Sequence, residues 1–86
     1  LDWFRPLGRI VLRGRATPIE IMEPVPDEPV EARQAFADLA KRAMQGDVSA
    51  ITALGKTSAT NPNDAALANF VYRLSHQEEG GYFVLD

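Results

Sequence analysis

Apolar and polar residues alternate near the start of the chain. Further on, apolar residues recur at three- and four-residue spacing, so a strand-like opening gives way to a helical remainder. Over residues 8–23 the alternation predicts two strands joined by a tight turn, Gly14 to Thr17. Leu12 is expected opposite Ile19, and the same register sets Ile10 opposite Ile21, gathering four apolar side chains on one face. Pro18 suits the first position of the second strand. Pro24, Pro26 and Pro29 then interrupt any strand and mark a linker.

From Val30 the spacing predicts a helix, with Asp27 or Glu28 as its cap, Pro29 in its first turn and Glu31 near its positive end. Its apolar stripe is Phe36, Leu39, Ala40 and Ala43, continued by Met44. Gly46 ends it and Asp47 caps a second, shorter helix, whose apolar side is Val48, Ile51 and Leu54 and which is expected to weaken at Gly55. Asn61-Pro62-Asn63-Asp64 supplies a cap, a first-turn proline and an early acid for a third helix, with Leu67, Phe70, Val71 and Leu74 as its stripe. Gly80-Gly81 is the expected stop, and Tyr82 to Leu85 reads as a short strand. Trp3 and Phe4 are expected to fill the core under the helices.

A lone two-stranded hairpin is marginal in water, and the three helical stripes need a common core. The predicted fold is therefore α+β: a β-hairpin plus a short C-terminal strand, packed with three helices. Residues 1–24 form the hairpin, and residues 25–86 the helical tail with its final strand.

At 86 residues this is one small domain, near the size at which a single core gives only a few kcal/mol of net stability. With no Cys there is neither a disulfide framework nor a thiolate metal site, which agrees with an expected cytoplasmic location. No apolar run approaches the ~20 residues that span a bilayer, and no direct membrane contact is expected. Net charge is −3 but uneven: Arg5, Arg9, Arg13 and Arg15 against Asp2 leave +3 over the first fifteen residues and −6 over the rest. A single short basic patch on an acidic chain lacks the broad footprint of nucleic-acid binding, so no nucleic acid is expected as a partner.

Other chemistry is sparse. His76, the only histidine, precedes Glu78 and Glu79 and has a surface or helix-end role. Ser49, Ser58 and Ser75 have no neighbouring sequence that would activate a nucleophile. Glu20, Glu23, Asp27, Glu28 and Glu31 cross a linker in varied geometry and read as a solvated face.

Residues 5–15, Arg-Pro-Leu-Gly-Arg-Ile-Val-Leu-Arg-Gly-Arg, followed by Pro-Ile-Glu-Ile-Met-Glu-Pro over residues 18–24, resemble the end of the catalytic domain of class III nucleotide cyclases. In that family the last hairpin carries a Leu-Lys-Gly-Arg-like turn, and a basic residue of the turn reaches the triphosphate of the nucleotide. The likeness covers roughly the first quarter of the chain. It implies Arg13 as the triphosphate-binding residue, with Arg15 the next candidate. Arg13 stands where the turn usually has Lys, so a planar fork replaces a point charge.

The family's metal-binding Asp pair, base-selecting pair and transition-state Asn and Arg all lie upstream of this hairpin. The chain opens at Leu1 rather than Met and is read as the C-terminal fragment of a longer cyclase, with no catalytic residue of its own. The resemblance implies that the parent makes cyclic AMP and pyrophosphate from ATP using Mg or Mn. Its implied partners are the rest of the parent domain, ATP in the intact parent, and a second copy in a homodimer. The helical part weakly resembles tetratricopeptide-type arrays and the tails of some bacterial cyclases, either bracing or regulating the catalytic domain. The rival reading is a small helical interaction module with no enzymatic role.

Overall fold

Two strands near the N-terminus and one at the far end make a single sheet in the order β2-β1-β3. β1 (Phe4–Leu12) pairs antiparallel with β2 (Ile19–Pro24) and parallel with β3 (Phe83–Leu85). Between β2 and β3 come three helices: α1 (Val30–Met44), α2 (Val48–Thr60) and α3 (Ala65–Leu74). This computed structural model describes residues 3–78 and 81–85. Glu79 and Gly80, to which the sequence assigned a place after His76 and in the helix stop, lie outside the described residues. The α+β arrangement is the one the sequence predicts, and no described helix is long and apolar enough to cross a membrane.

The hairpin register differs from the expected one by two residues. Ile10 faces Ile19, not Ile21, and Leu12 has no partner on β2. On its other edge the distal end of β1 pairs with β3, Ile10 to Phe83 and Leu12 to Leu85, while the Leu12 carbonyl accepts the Arg15 N–H to close the turn. β2 therefore begins only at Ile19, directly after Pro18.

Between Pro6 and Arg9 two β1 residues, Leu7 and Gly8, stand opposite the single β2 residue Ile21, which makes a β-bulge. Gly8 adopts φ +101°, open to glycine at little cost, and a Cβ there would lie 3.1 Å from the Phe70 ring. The bulge thus turns Leu7 into the core and lets Phe70 lie against bare backbone. Leu7, Val11 and Ile21 pack inward in place of the expected four-residue face, and Leu12 and Ile19 are exposed. Trp3 and Phe4 do not fill the core under the helices. Trp3 is exposed, and their ring centroids are 4.4 Å apart.

The helix ends also depart from expectation in ways that local bonding explains. Pro29 is the N-cap of α1 and no side chain caps it; its carbonyl accepts the Arg33 N–H. Asp47 caps α2 as the sequence predicts, accepting from the Ser49 and Ala50 amides. α2 runs through Gly55; Thr57 bonds back to the Ala53 carbonyl, and Thr60 and Asn61 to that of Thr57. Asn61 thereby ends α2, and Asp64 caps α3 through the Leu67 amide. α3 stops at Leu74, well before Gly81, and just past its end the Ser75 hydroxyl donates to the Tyr72 carbonyl.

The core joins all three helices to β1. It consists of Leu7, Ala40, Ala43, Ala50, Leu54, Leu67, Phe70 and Leu74. Fully buried alanines on α1 and α2 leave little between the two backbones, while Leu54, Leu67 and Phe70 supply the bulk. Val48, expected on the apolar side of α2, is exposed, and Ala50 occupies the core instead. Phe36 and Ile51 pack at the margin.

Candidate functional site

The turn beyond β1 places Arg13 and Arg15 on either side of Gly14, both exposed at the hairpin tip. Gly14 takes φ +86°, the left-handed backbone a tight turn requires and glycine adopts readily. Hydrogen bonds hold the turn on two sides: the Arg13 amide donates to the Leu85 carbonyl of β3 at 2.9 Å, and the Arg15 amide to the Leu12 carbonyl at 2.9 Å. The two candidate residues are brought together on an anchored turn. Such a tip can present one or two guanidinium groups to a polyanion without first ordering the backbone.

The four N-terminal arginines do not form one basic surface. Arg5 turns to Glu23 across the hairpin and to Asp64 at the start of α3, with its guanidinium 5.3 Å from the centre of the Phe36 ring. Burial works to lower the Arg5 pKa, but its hydrogen bonds to Asp64 and Glu23 and their charges outweigh this and raise it. The Arg5 guanidinium in turn holds the Asp64 carboxyl below its ordinary value against the opposing effect of burial, helped by the Leu67 amide. Arg5 therefore clips the sheet to α3. Arg9, half-buried, lines the space between β1 and α1.

Among the described residues no three His, Asp or Glu side chains come together as a metal site. His76 is exposed, stacked on Tyr72 at 4.4 Å, with Nδ1 near both the Ser75 hydroxyl and the Tyr72 carbonyl. Of the acidic residues near the linker, Glu23 is paired with Arg5.

Two functional candidates escaped the sequence reading. Arg33 on α1 is buried; its Nη1 donates to the Glu28 carbonyl, and its Nε has no partner. Arg73 on α3 donates through Nη2 to the Leu7 carbonyl in the bulge at 2.9 Å, its Nε is likewise unpartnered, and burial lowers its pKa. The signal for Arg33 lay in the helical spacing: it precedes Phe36 by three residues and so falls on the stripe that faces the sheet.

Arg33 lines a groove between α1 and the hairpin. One part of the groove, about 320 Å³, has Phe4, Met22 and Val30 among its walls. A second part, about 410 Å³, has Arg9, Glu20 and Lys41. Pro6 and Ala37 line both, so the two parts adjoin.

No protein-family model, curated protein or solved structure matches the chain.

Proposed function

We propose that this chain is the C-terminal part of a class III nucleotide cyclase, whose parent converts ATP to cyclic AMP and pyrophosphate, and that its helices brace the last catalytic hairpin. The observation that carries this reading is the hairpin tip. The Pro-Leu-Gly, Arg-Gly-Arg and Pro-Ile-Glu segments that resemble the cyclase ending fall on one strand, its turn and the return strand, with Arg13 and Arg15 exposed at the tip. In the parent, one of these arginines offsets charge on the triphosphate, and more strongly on the pyrophosphate as it leaves, which lowers the barrier rather than merely aiding binding.

The test is cyclase activity of the longer parent chain carrying Arg13→Ala, Arg15→Ala or Arg9→Ala, each checked for folding. Loss of one preorganised charge-stabilising contact is worth roughly 2–4 kcal/mol, or about 30- to 1,000-fold in rate. One of the two tip variants should fall by that factor, and Arg9→Ala far less. Equal activity in all three would leave the hairpin a structural element only. Coding sequence upstream of Leu1 without a metal-binding Asp pair and an Asn-x-x-x-Arg motif would sink the cyclase reading itself.

A further inference from the structure

We propose that the groove between α1 and the hairpin is a docking surface for an extended segment of a partner protein that carries a carboxylate beside an apolar side chain. This stands apart from the cyclase reading and does not depend on it.

Arg33 is the first reason. It is 8% exposed, and among the described residues no carboxylate lies within ion-pair reach. A guanidinium has five N–H donors and keeps its charge at any ordinary pH. Here one donor bonds the Glu28 carbonyl, Nε is sealed from solvent without an acceptor, and Nη2 has none among the described residues. Buried charges in proteins are as a rule paired, because desolvating an unpaired one is costly. A carboxylate from outside would complete this one through Nη2, the nitrogen that is neither sealed nor bonded.

The walls are the second reason. Met22 on the hairpin is 42% exposed and Val30 on α1 48% exposed, and Phe4 lines the groove with them, its ring 4.4 Å from that of Trp3. Aromatic residues, Met and Arg are the types enriched where proteins meet. Charge is the third. Arg33 and Lys41 against Glu20 make this lining locally cationic on a chain of net charge −3, which favours an acidic visitor over a basic one.

Shape selects a protein segment over a small molecule. The groove follows one face of α1 from Val30 to Met44, about 20 Å at ~1.5 Å per residue, which matches about six residues of extended chain. Both parts are about half open to solvent, whereas small-molecule sites enclose most of their ligand.

A random twelve-residue peptide library displayed on phage and selected on the immobilised chain tests this, with the Arg33→Met chain used for counter-selection. Enriched sequences should carry Asp or Glu next to Leu, Ile, Met or an aromatic residue. A synthetic copy of the leading peptide should shift the Met22 and Val30 methyl resonances. It should bind at least tenfold more weakly to Arg33→Met and to Met22→Glu, the latter a surface change that leaves the core untouched. Replacing its acid by the amide should cost a similar factor. No enrichment, or enriched peptides indifferent to both variants, would overturn the proposal. So would octanoate producing the same Arg33-dependent shifts where no peptide does, which would make the groove a small-carboxylate site. Concentration-dependent shifts of these methyls in the chain alone would overturn it in favour of a second copy.

Discussion

Phe70 and Phe36 hold similar places in the apolar stripes of their helices but bury very different amounts of surface. Phe70 is 1% exposed and lies against Gly8 in the bulge, so removing its ring leaves a cavity that glycine backbone cannot collapse to fill. Phe70→Ala should cost about 3–5 kcal/mol. Phe36 sits at the margin of the core under the Arg5 guanidinium, and Phe36→Ala should cost about 1–2 kcal/mol, part of it the cation–π contact. Urea unfolding of the two variants measures both; equal losses would mean that Phe36 is as deeply packed as Phe70. The helical period made both residues legible as inward-facing. Their depth was not legible, because it depends on a bulge in β1 that no local pattern around Phe70 announces. Arg33 shows the converse: the same period placed it on the inward face, but a charged residue there reads as solvated until the hairpin is seen to cover it.

At the scale of elements, the apolar periods located every strand and helix, while their ends followed from competition between neighbouring polar groups. Asp47 was legible as a cap because it follows Gly46, the expected end of the helix before it. The sequence favoured Asn61 as the cap of α3, with Asp64 only an early acid, yet Asp64 is the cap and Asn61 closes α2. The choice went to Asp64 because its carboxylate also meets Arg5, 59 residues away, while the Asn61 amide donates to the Thr57 carbonyl at the end of α2. The caps carry a pH signature. The Ser49 hydroxyl, then the Arg42 guanidinium and the Ala50 amide, hold the Asp47 carboxyl down at about 2. A carboxylate whose pKa is lower folded than unfolded stabilises the fold when ionised. Its contribution is complete above the unfolded value of 3.8 and is lost as pH falls through the folded one. The start of α2 should therefore loosen between about pH 4 and pH 2, with the Ser49 and Ala50 amide resonances moving together across that window. Asp64 acts in the same direction. Asp47→Asn, which keeps an acceptor and removes the charge, should abolish the pH dependence at those two amides; its persistence would mean that another group titrates there.

The molecule as a whole is tied together by contacts between its two ends. Leu7 shares a core with all three helices, Arg73 reaches the Leu7 carbonyl, Arg5 reaches Asp64, and β3 pairs with β1. The hairpin of residues 4–24 and the helices after it thus bury the same apolar surface, and among the described residues neither has a second core to fall back on. The sequence showed that the parts needed a common core but not the parallel pairing of β3, because Phe83 to Leu85 carry no signal of which strand they join. Urea unfolding followed by the fluorescence of Trp3, the only tryptophan, and by helical circular dichroism should give one coincident transition. Gly81→Ala probes the same unity from the other end. Gly81 has φ +81°, and a Cβ there would collide with the Met44 carbonyl at the end of α1 and crowd the Arg9 guanidinium. The substitution should lower the amide protection of Val84 and move both unfolding curves together to lower urea. If Trp3 kept its midpoint while the helical signal lost stability, the hairpin and the helices would be separate folding units, and the shared core would not be what holds the sheet.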